Sequence, residues 1–202
     1  MQKAEKKIVG FTLVELLSVV VVLGLIAVVA FSRFVNLSDE ANDASLDATK
    51  AAFKQGVKNV QTRWRLDGMP RTNNNQGPSV IVSGEVIVVE NGTGFPVGSD
   101  NRDQAIRMST NDCVTVFNQV LDGGQTVLRR RGNNNPDRET RRSINYLSTR
   151  FNDNANGDVC HYYLTSSLTD DQNNPRHQDS PSIGQGFSYF PATGEVTVFN
   201  FL

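Results

Sequence analysis

Residues 11–32 read FTLVELLSVVVVLGLIAVVAFS, and the fold turns on this stretch. From Leu16 to Ser32 there are 17 residues without a charge, and adding Phe11–Glu15 brings the run to 22. A helix rising about 1.5 Å per residue crosses the hydrocarbon core of a bilayer with that length. Residues 1–10 before it are polar, with Lys3, Lys6 and Lys7 set against Glu5, and the break falls directly after Gly10. By the positive-inside rule the lysines stay in the cytoplasm and the rest of the chain is exported.

A secretory signal peptide shares these parts: a basic start, an apolar core and a small residue, here Ala30. Glu15 argues against it. A carboxylate among the first apolar residues is costly in lipid, less so near the interface, and a residue that expensive normally has a partner. Gly10-Phe11-Thr12-Leu13-Val14-Glu15-Leu16-Leu17 resembles the prepilin motif of type IV pilins and pseudopilins. The resemblance implies cleavage between Gly10 and Phe11 by a membrane peptidase, N-methylation of Phe11, loss of the leader 1–10 and retention of the apolar helix. It makes Glu15 the fifth residue of the mature chain and the subunit-assembly residue. In the dry core of a filament, the α-amino group of a neighbouring subunit is the positive charge available to it. Many relatives have proline where this chain has Ser32, so Gly24 is the intrinsic weak point of the helix.

Beyond residues 11–33 the pattern becomes amphipathic over 34–67. Ala41, Ala44, Ala48 and Ala52 are spaced 3, 4 and 4, and Phe53, Val57, Val60 and Trp64 are spaced 4, 3 and 4. Each set marks one face of a helix, and both are expected to pack as core against a sheet. Asp39, Glu40, Asp43, Asp47, Lys50, Lys54 and Lys58 occupy other faces. Asp67-Gly68-Met69-Pro70 stops the helix, which from Phe11 spans ~84 Å at the α-helical rise.

The remainder, 68–202, is expected to form a globular head. SVIVSGEVIVVE (79–90) reads as strand with a bend at Gly84, and Cys113–Leu121 is ambiguous between helix and strand. Further strands are expected at Val159–Leu164, Phe187–Phe190 and Glu195–Phe201, the last two joined by a turn at Pro191-Ala192-Thr193-Gly194. The fold class is α+β, a long N-terminal helix laid on an antiparallel sheet. Cys113 and Cys160 have no C-x-x-C spacing, and a disulfide between them is the favoured reading over two buried thiols. Closing that 48-residue loop constrains the unfolded chain by roughly 4 kcal/mol. The cysteine pair, the VCHYY strand and the YFPATGEVTVF hairpin make the head resemble mannose-sensitive haemagglutinin (MSHA) pilins, major or minor. The 42 residues after Cys160 set it apart from pilins whose disulfide lies at the extreme C-terminus.

Composition bounds the function. With 202 residues, 38% of them hydrophobic, and a formal net charge of −1, the chain supports one modest core and no overall polyanion-binding signature. There is no G-x-S-x-G, H-E-x-x-H or phosphate-binding glycine loop, and the two histidines are His161 and His177. His161 follows Cys160, and adjacent strand residues point to opposite faces, so they make no nucleophile–base pair. Asn152–Asp158 (NDNANGD) resembles the first half of a calcium loop. Asn152 stands at position 1 and Tyr163 at position 12, where the bidentate glutamate belongs, so an asparagine-rich turn is the plainer reading. Arg129, Arg130, Arg131, Arg138, Arg141 and Arg142 form a basic cluster that suits nucleic acid, acidic glycan or, more simply, acidic surfaces of neighbouring subunits.

The resemblance implies a structural pilus subunit needing no cofactor, anchored in the inner membrane before assembly and extracellular afterwards. Implied partners are the prepilin peptidase, the assembly ATPase with its platform, a secretin and sibling pilins. A type II secretion pseudopilin shares the N-terminal motif and is the alternative. A membrane-anchored monomeric binding protein is a third reading.

Overall fold

A computed structural model describes residues 11–73, 76–100, 104–121, 123–130, 139–140, 143–153, 157–168 and 184–201, with backbone alone for 32–39, 153 and 201. The chain divides into two compact units, Met1–Ala44 and Ser45–Leu202. Helix α1 runs Leu13–Leu66 and ends where the glycine signal places its stop. Gly68 takes φ +85°, its N–H donates to Arg65 O (3.1 Å), and Met69 N–H donates to Trp64 O (2.9 Å). This pair of bonds is a Schellman motif, which satisfies carbonyls that the helix end leaves open and requires a left-handed residue at that position.

The second unit holds two sheets. The smaller is antiparallel in the order β1 (Ser79–Val82), β2 (Glu85–Val89), β3 (Pro96–Gly98). The larger is β4 (Val127–Arg129), β5 (Tyr146–Asp153), β6 (Gly157–Leu164), β7 (Gly184–Phe190), β8 (Glu195–Phe201), in that order. It is antiparallel except for β4 and β5, which pair in parallel with Val127 opposite Tyr146. The α+β class and the antiparallel character are as expected; strands β3, β4 and β5 were not read from the sequence. The stretch 79–90 is a hairpin and not one bent strand. Ser83 (φ +51°) and Gly84 (φ +87°) form its two-residue turn, with Val82 paired to Glu85.

Helix α2 (Thr110–Val120) resolves the ambiguous cysteine segment. Ser109 caps it, accepting from Asp112 N, while the Asp112 carboxylate accepts from Ser109 N at 2.6 Å. This reciprocal capping box, serine followed three residues later by an acid, was legible in the sequence and went unread.

The core is aromatic. Phe53 of α1 meets Phe117 of α2 and Tyr162, Phe187 and Tyr189 of the larger sheet, with ring centroids 5.2–6.0 Å apart. Their hydroxyls are satisfied where they are buried: Tyr162 Oη donates to Cys113 O (2.7 Å) and Tyr189 Oη to Pro96 O (2.9 Å). A buried hydroxyl without a partner costs free energy, so these bonds orient the rings as well as filling space. A second cluster joins Val60 and Trp64 to Val80, Ile87 and Val89 of the smaller sheet. Trp64 Nε1 donates to Pro70 O (2.9 Å), and a side chain on Gly94 would run into the indole ring. Gly56 serves a similar close approach, since a methyl there would meet the Val120 carbonyl at the end of α2.

One expectation for α1 is overturned. Phe53, Val57, Val60 and Trp64 are buried as read, but Ala41, Ala44, Ala48 and Ala52 are exposed. Leu46 and Thr49 fill the inward positions instead. At 100° per residue Ala48 lies about 140° from Phe53, so the two stripes are different faces, and the larger side chains bury more apolar area.

Candidate functional site

The α1 start is built by two residues of the motif. Thr12 is the N-cap: Glu15 N donates to Thr12 Oγ1 (3.3 Å), while Thr12 N and Oγ1 both donate to Glu15 Oε2 (3.3 and 3.1 Å). Thr-x-x-Glu is thus a capping box, in which a carboxylate also favours the positive end of the helix dipole. This role of Glu15 was missed in the sequence, where the same spacing would have shown it. Both bonds use Oε2, which leaves Oε1 open to a further donor. Gly10 lies outside the described residues, and Phe11 is 85% exposed.

From Leu13 to Phe31 the helix presents 19 residues of suitable length and composition to cross a membrane, none of them buried. Leu16, Leu17, Val20, Leu23, Ile26 and Val29 point to several sides of the helix and are all more than half exposed. An apolar surface of that kind is stable only in lipid or against other apolar helices.

The head contains the expected disulfide. Cys113 and Cys160 are bonded, 5.5 Å apart at Cα, and both are fully buried, tying α2 to the central strand β6. His161 projects from the other face of β6. Its Nδ1 lies 2.8 Å from Ser188 Oγ, its Nε2 has no partner, and the rings of Phe151, Tyr163 and Phe199 surround it. Burial pushes its pKa down from 6.5 to about 4, so the ring is neutral at physiological pH. A neutral ring held by a serine and three aromatic rings is an arrangement suited to packing.

In the Asn152–Asp158 segment, residues 154–156 lie outside the described residues. Asp158 faces inward and is committed: Oδ1 accepts from Arg150 Nη1 (2.7 Å) and Asn152 Nδ2 (2.8 Å), and Oδ2 from Met108 N (2.7 Å). That set of donors anchors the approach to α2 and holds this carboxylate inward. Among the described residues, no group of three or more His, Cys, Asp or Glu is placed to hold a metal.

Of the arginine cluster, Arg131, Arg138, Arg141 and Arg142 lie outside the described residues. Arg129 is half-exposed and donates through Nη1 to Asn111 Oδ1 of α2 (2.8 Å). Arg130 is 4% exposed, and burial lowers its pKa from the usual value. It is therefore not part of a solvent-facing patch. Extended neighbours point to opposite sides, so two consecutive arginines at a strand end cannot both face water over a buried sheet.

No family model matches the chain, and no solved structure gives a significant match. One curated protein is similar: the "Type IV narrow pilus major component PilA5" of Thermus thermophilus, 51% identical over 56 residues. The aligned residues are 27% of this chain and 48% of that protein, so the chain spans about half the length of the relative it matches. Over this stretch the chain is similar to a type IV pilus component.

Proposed function

We propose that this chain is a structural subunit of a type IV pilus, polymerised through α1, with the head presented at the cell surface. The observation that carries the reading is the 19-residue apolar helix, exposed all round and opened by the Thr12–Glu15 box. The similarity to a pilus component supports it. The leader is removed after Gly10 by a prepilin peptidase, Phe11 becomes the methylated N-terminus, and an assembly ATPase, platform and secretin move the subunit from the inner membrane outward. Glu15 Oε1 receives the α-amino group of a neighbouring Phe11 while Oε2 keeps the cap. The finer reading, on the cysteine pair and the closing hairpin, is an MSHA-like pilus used in attachment. No catalytic role is assigned.

Intact mass of the native protein tests the start: a methylated Phe11 terminus is expected, whereas a start at Phe31 would establish ordinary signal-peptide removal. Shearing tests the assembly. Recovery of the chain in long surface filaments is expected, and confinement to the envelope of a protein-secreting cell would assign it to a secretion pseudopilus.

A further inference from the structure

The two sheets of the second unit end in four edge strands that differ in kind. β1 has four residues and β3 and β4 three each, whereas β8 has seven. β8 pairs with β7 residue for residue, from Glu195 opposite Phe190 to Phe201 opposite Gly184, without a bulge. It stands last in the larger sheet, and no strand among the described residues lies on its other side. An open edge offers backbone donors and acceptors to any chain in extended form, so proteins guard such edges by brevity, lysine, proline or a bulge. Brevity guards the other three. β8, with the sequence EVTVFNF, has none of these protections: its one charge is Glu195, at the first position. Val196 is buried in the main core, and Phe199 is buried against His161 and Tyr163. Thr197 is half-buried, Asn200 is exposed, and Val198 is 44% exposed.

We infer that β8 is a docking edge for the β8 of a second copy, the two strands running antiparallel about a two-fold axis at Val198. Backbone chemistry sets the class of occupant, because only an extended strand satisfies a row of peptide N–H and C=O groups. The residues of the edge select the same strand. Val198 is the fourth of seven, so pairing two antiparallel copies over their full length puts Val198 opposite Val198 and Thr197 opposite Phe199. The half-exposed valine then gains a second apolar neighbour across the ribbon. The two Glu195 carboxylates fall at opposite ends, about 20 Å apart at the strand rise, where salt screens their repulsion. The pairing itself does not need the pilus reading, but its consequence rests on it. An isologous contact cannot operate among subunits that all point one way along a filament, so it joins the heads of separate filaments. One such ribbon is weak. Filaments carry the edge at every repeat, so many pairings engage together and hold filaments side by side.

Single cysteines read the register. Val198→Cys, Asn200→Cys and Glu195→Cys are each placed in the full chain, extracted in mild detergent, treated with a mild oxidant and run without reductant. Opposed residues at the two-fold lie within reach of a disulfide, whereas positions 200 and 195 lie about 14 and 20 Å from their mates. Val198→Cys is expected to give linked dimers at least about tenfold more than the other two. Charge tests the pairing between filaments. Val198→Lys and Val198→Glu, each as the sole copy, set like charges face to face. Each is expected to disperse side-by-side filaments while incorporation into filaments stays within about threefold of wild type. Mixing the two kinds of filament sets opposite charges face to face and is expected to restore the association. Thermal melting of each variant shows that the head still folds. Equal linking at all three positions overturns the inference, as does a folded Val198→Cys chain that does not link or links to a different protein, which would give the edge another occupant. Wild-type filaments that never lie side by side overturn it, and so does wild-type association of either charge variant or failure of the mixture to associate. Absence of filaments from wild-type cells, with the Val198→Cys dimer still formed, breaks the pilus reading alone.

Discussion

Two stretches of α1 of similar length behave oppositely. Residues 13–31 are apolar on several sides and none of them is buried within the chain. Residues 46–64 bury Leu46, Thr49, Phe53, Val57, Val60 and Trp64 and leave the rest exposed or half-buried. The difference is periodicity. An apolar stripe recurring at 3.6 residues can be covered by one sheet from the same chain, whereas an all-round apolar helix needs cover on every side, which one small head cannot provide. The first stretch therefore needs lipid or other apolar helices around it, the second its own head.

The comparison breaks most completely at Glu15. As the sole copy, Glu15→Ala is expected to remain in the membrane and vanish from filaments. Glu15→Gln separates the two roles of the carboxylate, because glutamine preserves the capping box but carries no charge. It too is expected to be lost from filaments; incorporation of Glu15→Gln at wild-type levels would show that the cap, and not the pairing with a neighbour's amine, is what assembly needs. Capping alone is worth roughly 1 kcal/mol, too little to abolish polymerisation.

Within the head, loss of the disulfide is expected to cost roughly 4 kcal/mol, seen as a lowered Tm of the doubly substituted Cys113→Ser/Cys160→Ser protein. An alkylating reagent should label neither cysteine in the native chain, since both are bonded and buried. Phe53→Ala should cost about 3–5 kcal/mol in denaturant unfolding, because it opens a hole between four other rings. Ala52→Ser, one residue away on the exposed side, should change stability by less than about 0.5 kcal/mol. Equal effects at 52 and 53 would refute the division of faces.

His161 gives a smaller, pH-dependent effect. The unfolded histidine binds a proton near 6.5 and the folded one near 4, so the unfolded state holds more protons in between. Stability is therefore expected to fall as pH drops below about 6.5 and to level off below about 4, by up to about 3 kcal/mol in all. Ser188, Phe151, Tyr163 and Phe199, which pack against the ring, carry no charge to offset protonation. His161→Phe should flatten that part of the profile, and an unchanged slope would place the titration elsewhere.

Much of this molecule was legible in residue order because the signals are local. The apolar run, the stop at Gly68, the Phe53–Trp64 stripe and the Pro191–Gly194 turn each depend on neighbours within one or two turns of chain. Two capping boxes, at Thr12 and Ser109, were equally local and were overlooked. Other features had no local signal. That Ala48 faces out and Thr49 in depended on where the sheet lies; that Arg130 is buried depended on β4 running parallel to β5. Asp158 closes on Arg150 across the β5–β6 register and on Met108 across 50 residues of chain. The sequence by itself determined that the N-terminal stretch up to Gly68 is helical, which part of it seeks an apolar environment and which two cysteines are available to bond. Tertiary structure alone decided which side of each segment is covered, because coverage depends on contacts between residues far apart in the chain, whose pairing no local periodicity encodes.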